Sequence, residues 1–158
     1  MYLVSKNEEI AVRDNEELDV SALTAIAHCP DLEVFAMRSY CDREGVVLLL
    51  VTNNSRRTTR LLEQVGYRCH TRPVVLVGPL RRRGWTIPLQ TELEISGIQV
   101  RHTYAHRTER GHHYLAFQTE DDERALRVLE LSGALRGAAR SRADEEAHLP
   151  KQLRQVAA

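Results

Sequence analysis

The chain has 158 residues, enough for one domain of ordinary size or two small ones. Its 42% hydrophobic and 28% charged residues are the balance of a soluble globular protein, and 22 basic against 22 acidic side chains leave no net field to attract nucleic acid or an anionic membrane. Cys29, Cys41 and Cys69 are odd in number and form no CxxC, which points to reduced thiols in a cytoplasmic protein. The longest apolar run, residues 46–51, is a strand's length, and Met1-Tyr2-Leu3-Val4 lacks the basic and apolar regions of a signal peptide.

In chain order, residues 10–12 form a short strand candidate. A helix follows, capped by Asp19 or Ser21, with Ala22, Leu23, Ile26 and Ala27 on one side and Pro30 as its stop. Residues 32–40 and 45–52 read as a hairpin around a turn at 41–44. Asn53, Asn54 and Ser55 are helix-start residues; Leu61, Leu62 and Val65 supply a buried stripe, and Gly66 ends the helix. Residues 67–70 make a short strand.

The pattern then repeats. Residues 73–77 are a strand, 78–84 a loop and 85–95 a helix that tolerates Pro88 in its first turn. A second hairpin uses 98–105 and 112–118, with Thr108, Glu109 and Arg110 near its tip. Acidic residues at 120–122 then open a helix whose Leu126, Leu129 and Leu131 face inward. The offset is 66 residues: Leu32 answers to Ile98, Gly45 to Gly111 and Val51 to Phe117. Such a period is too long for a solenoid repeat and suits two copies of a small α+β unit, each too small to be robust alone. Each unit has the order β-α-β-β-α with a fourth strand, the ferredoxin-like arrangement.

Placing Tyr104 opposite His113 puts Ile98, Val100, Leu115 and Phe117 on one sheet face. The same arrangement groups Leu32, Val34, Ala36, Val47, Leu49 and Val51 in the first unit. Helices cover that face, and Gln99, Arg101, Thr103 and Tyr114 form a polar face opposite. After Gly133 the sequence is poor strand material, so the segment 1–4, which stands 66 residues before 67–70, is expected to supply the edge strand of the second unit.

Over roughly residues 8–133 the chain resembles the ACT domain family in tandem. The segment Val74-Val75-Leu76-Val77-Gly78-Pro79-Leu80-Arg81-Arg82-Arg83-Gly84-Trp85-Thr86-Ile87 is similar to that family's first strand, Pro/Gly loop and helix start. The segment 94–101 is similar to the helix end, glycine and second strand that follow. The first unit matches less well, with Leu18 where the second has Gly84. The resemblance implies a regulatory module binding an amino acid or similar metabolite near the first loop and a neighbour's second strand. It also implies that two four-stranded sheets, side by side, extend into one of eight.

The ligand-binding candidates are therefore Arg83, Gly84, Trp85, Thr86, Gln99 and Arg101, with Asp14 and Asn15 in the equivalent loop of the first unit. A glycine at 84 lets backbone N–H groups approach a carboxylate; Trp85 can wall an apolar side chain, Thr86 donates a hydroxyl, and Gln99 and Arg101 alternate onto one strand face. A simple turn at Gly84, a core-filling Trp85 and turn formation by Asp14 and Asn15 account for the same residues.

Other chemistries are set aside. His102, His106, His112 and His113 cluster on one hairpin, but in the register above His102 and His113 share one face while His112 points to the other, so at most two or three can converge on a metal. No nucleophile motif, phosphate loop or dinucleotide fingerprint is present. Arg110-Gly111 with Tyr114 and Phe117 is reminiscent of an RNA-recognition strand, yet those aromatics differ in parity and residues 46–51 carry none.

The expected protein is thus α+β: two ferredoxin-like βαββαβ units in tandem, with antiparallel sheets and helices on one face. The units span 1–70 and 71–137, and 138–158 forms a tail, helical or disordered. The function expected is non-enzymatic, cofactor-free ligand sensing by a cytoplasmic homodimer, with a regulated enzyme as a further partner and no role for metal, nucleic acid or membrane. The alternatives are a ligand-free interaction module and, behind it, an RNA-binding module.

Overall fold

The computed structural model describes residues 2–14, 24, 26–80 and 85–133. Asn15, Arg83 and Gly84 lie outside the described residues, as do Asp19, Ser21, Ala22, Leu23 and residues 138–158.

Among the described residues six strands form one antiparallel sheet: β1 (Leu3–Asp14), β2 (Val34–Asp42), β3 (Gly45–Thr52), β4 (Cys69–Leu80), β5 (Val100–Arg107) and β6 (His113–Thr119). Their order across the sheet is β2-β3-β1-β4-β6-β5. The helices are α1 (Ser55–Gln64), α2 (Thr86–Ile95) and α3 (residues 122–133); Thr24, Ile26 and Ala27 are also helical.

Among the described residues the sheet has six strands rather than the eight implied above, and the cause is fusion of short strands. Residues 10–12 belong to the 12-residue β1, and 69–70 with 73–77 to the 12-residue β4. The two long strands pair from Leu3↔Gly78 to Val12↔Cys69. β3 joins β1 only from Glu9 to Asp14, and β6 joins β4 only between Val75 and Leu80. Each long strand therefore serves a hairpin at one end and its long partner along most of its length. Leu3 and Val4 lie beside Gly78 and Val77, at the end of β4 that carries the second hairpin.

One sheet face is covered by helices. On the first-hairpin side Ile10, Val12, Leu48 and Leu50 pack with Ile26, Leu62 and Tyr67. On the other side Val75, Val77, Leu115 and Phe117 pack with Leu89 and Leu93 of α2, and with Ala125 and Leu129 of α3. Val65 and Leu131, expected inward, are exposed; Thr58 and Leu62 carry the buried stripe of α1, and Ala125 and Leu129 that of α3.

The opposite face is not the polar surface expected. Ala36, Val47, Leu49, Val51, Val74, Leu76, Tyr104 and Ala116 form a third apolar cluster there, joined by Phe35, Tyr40 and Tyr114. β3 is buried on both sides because its apolar run is unbroken rather than alternating. Three bulges explain the regrouping. One between Val34 and Ala36 sends Val34 to the helix side with Leu48 and Leu50, and Ala36 to the inner side with Leu49 and Val51. Another between Val100 and His102 keeps Val100 with the helix-side core; the third falls at Gly78-Pro79.

The hairpin register also differs from the one expected. Tyr104 faces Ala116 and His113 faces Arg107, because a tight turn at Thr108–Gly111 shifts the pairing by three residues. His102 and His113 accordingly lie on opposite faces.

Bulges bend a strand and increase its twist, and here the sheet curls until its edges meet. Arg38 of β2 donates to the Thr103 carbonyl of β5 at 3.4 Å. The Phe35 and Tyr114 rings stand 5.0 Å apart, and those of Tyr40 and His102 5.9 Å. The Tyr104 hydroxyl donates to Glu9 Oε2 at 2.7 Å; Glu9 is fully buried, and Arg72 directly across the β1–β4 ladder completes an ion pair with it.

Tyr114 lies flat against Gly78. A Cβ added at Gly78 would stand 2.2 Å from Tyr114 Cδ1, inside any permitted contact. Gly78→Ala is expected to destabilise by about 1–3 kcal/mol through overpacking, and the cost should largely vanish when Tyr114→Ala is already present. Urea denaturation of the two single variants and the double variant measures both.

Candidate functional site

The closed edges leave a cleft of about 680 Å³ at one end of the sheet, where the segment leading into β2 faces the tip of the β5–β6 hairpin. One wall is Cys29 to Val34 and Asn53, the other His106 to Arg110, and Ile26, Met37 and Leu50 line the apolar depth.

Each wall is held by local hydrogen bonding. Asn53 accepts from the Glu33 N–H through Oδ1 at 3.0 Å and donates from Nδ2 to the Asp31 carbonyl at 2.9 Å. Its own N–H donates to the Glu33 carbonyl at 3.1 Å, so one side chain and one peptide make three hydrogen bonds to two residues of the wall. Asp31 is further tied to Arg57 at 3.1 Å. Across the cleft, Thr108 N–H donates to the His112 carbonyl and Gly111 N–H to the Thr108 carbonyl, both at 2.8 Å. Gly111 has φ +81°, the left-handed conformation that other residues resist, so the turn presenting Glu109 and Arg110 depends on it.

The charged groups are mixed. Arg110 Nη1 is 3.9 Å from Glu33 Oε2, joining the walls. Burial holds the half-buried His106 below the usual imidazole range. Burial also raises the Tyr114 hydroxyl, with the Glu33 carboxylate raising it further and Arg110 opposing; both charges therefore act at the inner aromatic pair. Burial, and then Glu9, push Tyr104 far above an ordinary phenol, so it remains a donor at any working pH.

The residues expected from the sequence to bind ligand lie elsewhere where they fall among the described residues. Trp85 stands just before α2, half-buried, with its ring edge-on to Tyr2 at 6.0 Å and packed against the helix-side core. Thr86 begins α2. Gln99 is exposed just before β5, its N–H donating to Glu120 Oε1 at 3.1 Å; Arg101 is exposed at the Val100/His102 bulge, so the two do not follow plain strand alternation. Asp14 ends β1 opposite Val46. None of Trp85, Thr86, Gln99 and Arg101 lines the cleft.

Glu33, Asn53, His106 and Arg110 were not singled out as ligand-binding residues. The signal for Asn53 was its place in an Asn-Asn pair before a helix, where a cap was the evident role; Asn54 takes that role, accepting from the Arg57 N–H at 3.0 Å. The RNA-type aromatics make no stacking platform: Tyr114 is inside the curl and Phe117 is fully buried. Among the described residues no group of three or more His, Cys, Asp or Glu can hold a metal ion. No helix among them is long and apolar enough to cross a membrane.

The three thiols are free. Cys41 is exposed, whereas burial and, secondarily, Glu63 push Cys69 up to about 11. The thiolate is the reactive species, so iodoacetamide at pH 8.5 should label Cys41 first. Cys69 labelling should accelerate only as the pH nears 11, as peptide mass mapping of the folded protein will show.

No family model matches the sequence, and no curated protein matches it. Solved structures do share the fold. A protein from Bacteroides thetaiotaomicron superposes with a TM-score of 0.63 at 11% identity, over 84% of this chain and 90% of that one. The ligand-free regulatory subunit of aspartate kinase from Thermus thermophilus gives 0.55 at 13% identity, over 81% and 95%. The corresponding subunit from Thermus flavus gives 0.53 at 13% identity, over 82% and 95%. At these identities the likeness concerns the fold, and it supports the ACT-like architecture that the sequence resemblance implied.

Proposed function

We propose that this chain is a non-enzymatic regulatory protein that binds an amino acid or similar small metabolite. The observation that carries the reading is the cleft between the β2 lead-in and the β5–β6 hairpin, in a fold shared with regulatory subunits of aspartate kinase. It has opposite charges on facing walls and an apolar depth, the features that small-molecule sites combine. The same reading includes two ACT-like units bounded as 1–70 and 71–137, homodimeric assembly in the cytoplasm and a regulated enzyme as partner.

Two positions compete for the ligand. One is the loop and helix start at 83–86 with Gln99 and Arg101, or Asp14 and Asn15 in the first unit. The other is the cleft. The packing of Trp85 against Tyr2 favours the cleft, because a ring already engaged in the core offers less surface to a ligand. Regulation follows from linkage: a ligand that contacts one arrangement of the walls more strongly stabilises that arrangement and reports its own concentration.

A thermal-shift screen of the twenty amino acids tests the reading. At a hundredfold excess over its dissociation constant a ligand adds about 2.7 kcal/mol, which for a domain of this size raises Tm by roughly 5–10 °C. A flat response to all twenty favours a ligand-free interaction module instead.

A further inference from the structure

The cleft brings together two charges from opposite edges of the sheet. Glu33 leads into β2 and Arg110 sits on the β5–β6 turn, yet their nearest atoms are 3.9 Å apart. A charge-assisted hydrogen bond of this kind measures about 2.7–2.9 Å, so the pair is in proximity without being locked. The Arg110 side chain is 77% exposed and that of Glu33 32%; an exposed pair this long contributes little to stability. Inserting a molecule between them therefore disturbs little that the fold relies on.

The remaining lining narrows what that molecule can be. Asp31 is engaged by Arg57 and its carbonyl by Asn53. Arg107 and Glu109 are exposed beside Arg110, while burial disfavours the charged form of His106. Below the charges lie Ile26, Leu32, Met37 and Leu50, all continuous with the helix-side core. A charged side chain directed onto that apolar floor would lose hydration without gaining a partner. An aliphatic one would lose only water contact.

We infer that the cleft binds a free α-amino acid with an aliphatic side chain, its carboxylate on Arg110, its ammonium on Glu33 and its side chain over Leu32, Met37 and Leu50. The inference rests on the ligand-binding function proposed above and locates it away from residues 83–86. It also gives the regulation a structural form. A ligand held by both residues ties β2 to the β5–β6 hairpin, strengthening edge closure that the free protein makes through contacts such as Phe35–Tyr114 and Arg38–Thr103.

Isothermal titration calorimetry on the full chain tests it, with L-leucine, L-glutamate and L-lysine as probes. Two leucine analogues complete the set: 4-methylpentanoate, which lacks the amino group, and 3-methylbutylamine, which lacks the carboxylate. L-leucine should bind, and each analogue should bind at least about tenfold more weakly, as expected for loss of a hydrogen bond to a charged group. Glu33→Gln and Arg110→Gln should each weaken leucine binding about tenfold or more while the circular dichroism spectrum is unchanged. Leucine binding unaffected by either substitution overturns the cleft assignment and leaves the regulatory reading intact. Preference for glutamate or lysine overturns the aliphatic assignment alone. Silence from all three, together with a flat screen of the twenty amino acids, overturns both.

Discussion

A carboxylate with no access to water organises this protein. Glu9 lies in the middle of β1 on the inner face, fully buried, and its charge is satisfied by Arg72 of β4 and Tyr104 of β5. An ionised group left unpaired in such a place costs several kcal/mol, so the folded state requires both partners. Arg72 is the direct cross-strand neighbour and arrives with the ladder. Tyr104 does not. It belongs to the edge strand three positions away from β1, about 14 Å in a flat sheet. That span is beyond a tyrosine's reach, so the hydrogen bond exists only because the sheet curls.

The means of curling are local. Bulges at Val34/Ala36, at Gly78-Pro79 and at Val100/His102 fall on β2, β4 and β5, which include both edges. Gly78 does more than interrupt the ladder, since its missing side chain is the space Tyr114 occupies on its way to Phe35. The inner face is thereby closed by its own edges, leaving the helices to cover the outer one. Closure makes the cleft as well, because it carries the β5–β6 turn to the segment before β2. The site and the fold have a common cause: a sheet that remained open would hold Glu33 and Arg110 apart.

Much of this was legible in the sequence, and the failures have physical reasons. Hairpins, helices and the glycine turns could be read from apolar spacing and breakers, and Gly45 and Gly111, which the 66-residue offset pairs, both have positive φ. Strand fusion was missed because polar residues 5–9 interrupt the apolar pattern of β1; residues 5–8 lie where β3 does not reach, and Glu9, opposite Val51, is polar yet buried. The two-sided burial of β3 was signalled by six consecutive apolar residues. What hid it was the second hairpin, whose Arg101, Thr103 and Tyr114 look like a solvent face. A bulge adds one residue without changing composition, so alternation read along 98–105 loses its parity at Val100. Glu33, His106 and Arg110 converge only through the curl, and no local spacing records that. The loop resemblance pointed to residues 83–86; of these, Trp85 is engaged with Tyr2 and the helix-side core, and Thr86 opens α2.

The account stands on the far edge of the sheet reaching Glu9, and a double-mutant cycle between Glu9→Leu and Tyr104→Phe measures that contact directly. Groups in contact within one network couple by about 0.5–3 kcal/mol, whereas distant ones are additive within about 0.3–0.5 kcal/mol. Urea denaturation of the four proteins should give a coupling of about 1 kcal/mol or more. Additive costs would contradict the account, because in a sheet with separated edges the two side chains never meet.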